Sequence, residues 1–160
     1  MAGRLTSSVM SRKIINIIVI ALVTLLVFSR VSIAVDNPDA PDYVGEFEKR
    51  IAPFEKYINE KAKTTLDYSQ GYKKLEEALD KELNTAYKLL ISKLNSKEKE
   101  QLKESQKQWL KFRDSEFKWI SANWTNTKYG SSSVISAGAY RTTIIRERVI
   151  QLLQYLKGSS

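Results

Sequence analysis

Apolar residues recur at helical intervals in two stretches beyond residue 42. The first stripe has spacings of four, four, three and four residues and consists of Tyr43, Phe47, Ile51, Phe54 and Ile58. Pro53 lies within it, so we expect a kink or two short helices. The second stripe predicts a long helix that begins as early as Thr65 and ends at Asn95-Ser96. Its apolar positions are Tyr72, Leu75, Leu79, Leu83, Ala86, Leu90 and Leu94.

Two further helices are predicted towards the C-terminus. Asn95, followed three residues later by Glu98, forms a capping-box pattern, so the second and third helices are expected to be antiparallel neighbours. The third helix is expected from about Ser96 to Ala122, and the last from about Ala137 to Lys157. No long stretch alternates with period two. The sequence therefore predicts an all-α fold, a three- or four-helix antiparallel bundle.

The segment from Asn123 to Ser136 has no helical period and is rich in Asn, Thr, Gly and Ser. It is predicted to be a loop, long for a connection between helices. Such a loop is a candidate partner-binding surface. Its aromatic residues would anchor the partner, its lysine would pair with carboxylates, and its small residues would let the partner approach closely. Alternatively, the aromatic side chains fold back and cover the end of the bundle. The candidate residues are Trp124, Lys128, Tyr129, Gly130 and Ser131.

The N-terminus has the pattern of an export signal. Arg12 and Lys13 precede an apolar run from Ile14 to Phe28, and the small residues Ser32 and Ala34 follow. We expect a signal peptide over residues 1–34, with Met10 as an alternative start to Met1, and a periplasmic or secreted protein after cleavage near Ala34. A retained anchor is the alternative, although the run of 15 residues is shorter than the about 20 that a spanning helix needs.

Charge and composition narrow the possible partners. Residues 1–34 contain 4 of the 26 basic residues and no acid, so the remaining chain has 26 − 4 = 22 bases against 18 acids and a net charge of +4. That excess is too small to indicate a nucleic-acid partner. Cysteine and histidine are absent, so we expect no disulfide, no metal and no cofactor. Residues 35–64 are expected to form a flexible lead-in and a kinked first helix, and residues 65–158 the main helical domain.

The same composition argues against catalysis. Without His or Cys the chain lacks the commonest general base and the most nucleophilic side chain. Asp114 and Glu116 are two residues apart on a predicted helix and do not face each other. Arg113 could clamp an anionic ligand, or its stem could lie along Trp109 while its guanidinium reaches a neighbouring helix. Reversal of the chain at Asn95-Ser96 predicts two cross-helix pairs, Asp80 with Arg113 and Asn84 with Gln106.

Two segments, Leu79 to Leu90 and Ser105 to Asp114, carry a family resemblance. Together they resemble the small exported domain named after the lysozyme inhibitor LprI, with its D-x-x-L-N-x-x-Y-K helix and Q-x-x-W-x-x-x-R-D helix. Gly130-Ser131 and Thr143-x-x-Arg146 resemble later parts of the family more loosely. Members usually carry cysteines near Gly71, Phe117 and Gly138-Ala139, so this chain is a disulfide-free version. The matching positions are Asp80, Leu83, Asn84, Tyr87, Lys88, Gln106, Trp109, Arg113 and Asp114.

With catalysis disfavoured, we expect an exported cell-envelope binding protein whose partner is a protein or a cell-wall polymer. The resemblance implies lysozyme as the protein partner. The alternative is a wall-associated helical protein with no inhibitory activity, whose lysines touch anionic polymers. Lysozyme is itself basic, so a chain of net charge +4 gains no long-range attraction to it. Contact with a membrane is expected only through the signal segment. The motif residues are expected to be structural, and the predicted loop is expected to bind the partner.

Overall fold

The computed structural model describes residues 41–159. Its helices are α1 (Tyr43–Lys56), which continues into a π-helical turn (Tyr57–Lys61), then α2 (Thr65–Lys93), α3 (Ser96–Asn123), α4 (Asn126–Tyr129) and α5 (Ser132–Gly158). No strand occurs in this part of the chain, which confirms the predicted all-α fold. None of its helices is both long and apolar enough to cross a membrane. The predicted signal peptide lies outside the described residues.

The first helix belongs to the packed core. The Asp42 side chain caps it by accepting a hydrogen bond from the Gly45 amide at 2.9 Å. Pro53 lies inside a single α-helix rather than between two short ones, and a π-helical turn follows that helix. Phe47 and Ile51 are buried, as is Ile58 in the turn. The first helix and the turn therefore pack on the bundle, whereas residues 41 and 42 before them are exposed.

The second helix begins at Thr65, the earliest start that its apolar stripe allowed. Thr64 and Asp67 form a capping box, in which the Thr64 hydroxyl accepts from the Asp67 amide at 3.1 Å and the Asp67 carboxylate accepts from the Thr64 amide at 2.9 Å. Hydrogen bonds that the backbone amides of Thr64 and Lys63 donate to the Asp67 carboxylate lower the pKa of Asp67. Gly71 allows close packing, because a Cβ atom there would lie 2.9 Å from Cγ1 of Ile58.

Helices α2 and α5 pack side by side and run parallel. Gly138 of α5 lies against Tyr72, and three residues further along Arg141 donates to Glu76 at 2.9 Å. Residue numbers therefore rise in the same direction along both helices. The core that they form with α1, the π-helical turn and α3 consists of Phe47, Ile51, Ile58, Leu75, Leu79, Leu83, Ala86, Leu90, Leu102, Ile145, Val149, Leu152, Leu153 and Leu156.

Ion pairs fix α1 across this parallel pair. Arg50 donates from Nε and Nη2 to both carboxylate oxygens of Glu82, each at 2.8 Å. Arg146 of α5 bonds to Glu48 and Glu55 of α1. Because these partners lie on three different helices, the pairs set the register of α1 as well as its position.

The third helix runs back along the other side of the pair. Asn95 and Glu98 form the predicted capping box, with the Glu98 amide 3.0 Å from Oδ1 of Asn95. Only Leu102 and Ile120 of this helix are buried, whereas Phe112 and Trp119 are exposed. Helix α3 is therefore attached to the bundle along a narrower apolar face than its sequence suggests.

The predicted loop from Asn123 to Ser136 is wrong. Helix α3 extends to Asn123, α4 follows, and α5 begins at Ser132, five residues before the predicted start. Serines 132 and 133 donate from their hydroxyls to the carbonyl oxygens of Tyr129 and Gly130, at 2.6 and 2.8 Å. Such bonds let polar residues begin a helix. The irregular backbone shrinks to residues 124–125 and 130–131.

Candidate functional site

The end of the bundle between α3 and α5 carries a cluster of four aromatic rings. We call it the tip, and define it as Trp119, Trp124, Tyr129 and Tyr140 with Lys128. The Trp124 ring lies at the centre, edge-on to Trp119 at 5.0 Å and to Tyr140 at 4.8 Å, and stacked on Tyr129 at 6.4 Å. Trp119, Tyr129 and Tyr140 remain 54%, 54% and 47% exposed. The predicted residue Trp124 thus covers the bundle end, while Tyr129, stacked on it, remains about half exposed.

The remaining candidates of the predicted loop surround this aromatic surface. Lys128 is exposed, and its Nζ lies 3.3 Å from Oδ1 of Asn123, an uncharged partner. Gly130 has a φ of +59° with open space around it, and Ser131 is exposed just before α5. No aspartate or glutamate occurs between Glu116 and Glu147. The tip therefore presents aromatic rings and a cation without a nearby acid in the sequence.

A second feature is an open groove of about 450 Å³ between α2 and α3. Residues of the two family motifs converge on it rather than filling a closed interface. Leu83 and Leu110 supply apolar surface, and the other lining side chains are polar. The lining residues are Asp80, Leu83, Asn84, Tyr87, Lys103, Gln106, Lys107, Leu110 and Arg113.

Arg113 lies where the sequence predicted it. Its guanidinium carbon is 5.6 Å from the centre of the Trp109 ring, and its Nη1 reaches Oδ1 of Asp80 on α2 at 3.6 Å. It also bonds to Asp114 on its own helix at 2.8 Å. Burial raises the pKa of Asp80, and the opposing effect of Arg113 is smaller. The guanidinium is thus shared between two carboxylates, one on its own helix and one across the groove on α2.

The predicted pair of Asn84 with Gln106 is wrong. Asn84 donates to the Asp80 carbonyl oxygen of its own helix at 2.9 Å, and Gln106 instead accepts a hydrogen bond from Arg148 at 3.0 Å. The prediction assumed that the chain reverses at Asn95-Ser96 into two straight helices in contact. In the structure a groove separates α2 from α3 at this level. Gln106 therefore faces α5.

Arg148 is the residue that the sequence reasoning missed. It is 6% exposed, and its guanidinium donates to Gln106, Ser105 and Gln151 and lies 5.9 Å from the Trp109 ring. Burial lowers its pKa. Its burial could have been inferred from the helical spacing. Arg148 follows Ile145 by three residues and so lies on the buried apolar face of α5.

The described residues offer little that could carry out catalysis. No group of acidic residues within residues 41–159 could hold a metal ion. Asp114 is bonded to Arg113, and the sequence supplies neither His nor Cys. What this surface can do chemically is bind: aromatic rings at the tip, guanidinium groups beside α3, and amide and hydroxyl groups in the groove.

A family model described as "Lysozyme inhibitor LprI" matches residues 58–152. The chain belongs to this family. The span shared with the LprI family begins in the π-helical turn, contains α2, α3 and α4, and ends within α5. It includes the tip, the groove and Arg148, and the family is one of inhibitors rather than enzymes. No curated protein and no solved structure matches the chain significantly.

Proposed function

We propose that this chain is an exported binding protein that inhibits a lysozyme by inserting its tip into the substrate cleft. The observation that carries the proposal is the exposed aromatic cluster beside Lys128, in a chain of the LprI family. The partner is a protein, and the contact is made by side chains at one end of the bundle.

The chemistry of the tip suits such a cleft. A muramidase cleft is concave and carries two catalytic carboxylates, so an occupant needs a narrow projection with apolar anchors and a cation. Tyr129 and Trp124 are rigid rings that can bury large areas with little loss of side-chain entropy. Lys128 has an uncharged partner at 3.3 Å, so its ammonium is available to a carboxylate. The broad faces of the long helices are too wide to enter.

Export is part of the proposal. Cleavage after Ala34 would release a chain that begins at Val35 and lacks the apolar run. The intact mass of the protein in the envelope fraction tests this step. Recovery of a membrane-bound chain that retains residues 14–28 would show an anchor instead.

Inhibition is tested with the purified protein against several classes of lysozyme. We expect Trp124→Ala and Lys128→Ala each to weaken inhibition about tenfold, because a central anchor contributes on the order of 2 kcal/mol. Helical content should stay unchanged in both. Lys97→Ala is the matched control, since Lys97 is an exposed lysine in the first turn of α3, and it should inhibit as the wild type does.

The variant Trp109→Ala tests whether lysozyme contacts the tip or the family motif on α3. Trp109 packs against the core and beneath two guanidinium groups, so its loss should mainly lower thermal stability. Equal loss of inhibition in a folded Trp109→Ala protein and in the tip variants would move the contact from the tip to α3. Folded protein that leaves every lysozyme fully active at micromolar excess would leave the alternative, a wall-associated protein without inhibitory activity.

A further inference from the structure

Arg148 differs from every other arginine in residues 41–159. Arg50, Arg113, Arg141 and Arg146 each pair with at least one carboxylate, and all four are more exposed. Arg148 is 6% exposed and donates only to uncharged oxygens. A guanidinium stays charged in proteins, and burying a charge without a counterion is costly. The most buried cation of the bundle thus lacks an anion.

Its hydrogen bonds leave part of the guanidinium unused. Nε donates to Gln106, Nη1 to Gln151 and Nη2 to Ser105. A guanidinium has five N–H groups, so two are left after these three bonds. Two N–H groups are the number that one carboxylate accepts in a bidentate contact.

Arg148 lines an open groove of about 420 Å³ between α3 and α5. Its apolar surface comes from Trp109, Phe112, Ile144 and Ile150, and Gln151 lies beside the guanidinium. Phe112 is exposed, although a residue of this kind is usually buried. The groove therefore combines an exposed apolar floor with a buried positive charge.

We propose that this groove binds a small ligand that carries a single carboxylate on a short apolar body. The carboxylate pairs with Arg148, and the apolar body covers Phe112, Ile144 and the edge of Trp109. A fatty acid and the free C-terminus of an apolar peptide share this chemistry. The site is distinct from the tip and does not depend on inhibition of lysozyme.

Glu147 decides between this ligand and a more highly charged one. Glu147 also lines the groove. It is exposed, and as the immediate neighbour of Arg148 on the helix it leaves the helix in a different direction from the guanidinium. It repels anions, so a phosphate with two negative charges is disfavoured relative to a monoanion. The same repulsion predicts that Glu147→Gln binds the carboxylate ligand more tightly.

The test uses octanoate and the indole N–H signals of the three tryptophans in an NMR spectrum of the protein purified from cells that express the full chain. Octanoate should shift the Trp109 signal saturably and leave those of Trp119 and Trp124 in place. Octanol has a similar apolar body without the charge, and we expect it to bind at least about tenfold more weakly. N-acetyl-leucyl-alanine and its C-terminal amide form the second arm, which distinguishes a peptide source from a fatty acid.

Variants assign the effect to the groove. Arg148→Gln should weaken octanoate binding by about tenfold or more, and Phe112→Ala should weaken it without touching the guanidinium. If Arg148→Gln does not fold, Phe112→Ala and Glu147→Gln still test the site, with opposite expected changes in affinity. The proposal is overturned if neither carboxylate shifts the Trp109 signal up to its solubility limit, or if octanol and the peptide amide bind as tightly as their carboxylates.

Discussion

The parallel pair α2 and α5 and the outer helix α3 have nearly the same length, 29, 27 and 28 residues, but they bury very different numbers of side chains. Helix α2 buries six residues and α5 eight, whereas α3 buries two. Open grooves lie on both sides of α3. The difference indicates that α2, α5 and α1 supply most of the stability, and that α3 and the tip supply exposed chemistry for binding.

The largest expected effect contrasts a leucine of the pair with a leucine of α3. Leu152 is 0% exposed and Leu110 is 36% exposed. Leu152→Ala should lower the free energy of unfolding by about 2–5 kcal/mol, and Leu110→Ala by about 0.5 kcal/mol or less. Urea unfolding followed by circular dichroism measures both. Similar losses would mean that α3 is packed as firmly as the pair.

The next largest effect is expected from a comparison of two glycines of α5, one at its contact with α2 and one at its end. A Cβ at Gly138 would lie 2.3 Å from Cγ of Tyr72, where α2 and α5 meet, while a Cβ at Gly158 would meet nothing within 4 Å. Gly138→Ala should therefore cost about 1–3 kcal/mol through overpacking. Gly158→Ala, at the end of the same helix, is the control and should change the melting temperature little. A neutral Gly138→Ala would show that the two helices can separate easily.

The pair that joins α2 to α3 should have a smaller effect. Asp80 and Arg113 are 3.6 Å apart, and their side chains are 44% and 21% exposed. A double-mutant cycle with Asp80→Ala and Arg113→Ala should give a coupling of about 0.2–1 kcal/mol, well below the about 3–5 kcal/mol of a fully buried pair. A coupling of the larger size would place this contact among the interactions that hold the fold together.

The smallest expected effect is the pH dependence at Asp80. Burial raises the pKa of this carboxyl above its usual value, against the pull of Arg113. A raised folded-state pKa means that protonation favours the folded state, so this contribution is present below the unfolded pKa and is lost as pH rises through the folded pKa. Asp80→Asn should match or slightly exceed the wild type in melting temperature at neutral pH. Below the pKa of both states, that difference should disappear. If Asp80→Asn melted clearly below the wild type at neutral pH, the attraction of Arg113 for the Asp80 carboxylate would outweigh the unfavourable effect of burial.

Much of the fold follows from local sequence signals. The apolar stripe of α2, the extent of α5, the capping box at Asn95 and the contact of Arg113 with Asp80 were predicted, because they depend on residues close in sequence or on one chain reversal. The parallel contact of α2 with α5 could not be predicted in this way. It depends on Gly138 and Tyr72, which are far apart along the chain and carry no pairing signal of their own.

The candidate site was predictable only in part. Trp124, Lys128 and Tyr129 do lie together, but the serines at 132 and 133 start a helix where their composition favoured a loop, because their hydroxyls satisfy nearby carbonyl groups. The burial of Arg148 was not predicted, because the residues next to it in the sequence are charged. Arg146, Glu147 and Arg148 together look like a solvated surface, whereas the third of them points into the bundle.

The central claim is that recognition resides in the tip while stability resides elsewhere. The most direct measurement is the titration of lysozyme activity with the wild type, Tyr129→Ala and Tyr155→Ala. These two tyrosines are 54% and 50% exposed, one at the tip and one near the opposite end of α5. The account predicts inhibition by the wild type and by Tyr155→Ala, and inhibition about tenfold weaker by Tyr129→Ala at an unchanged melting temperature. Equal inhibition by both variants, or full lysozyme activity at micromolar excess of the folded wild type, would contradict it.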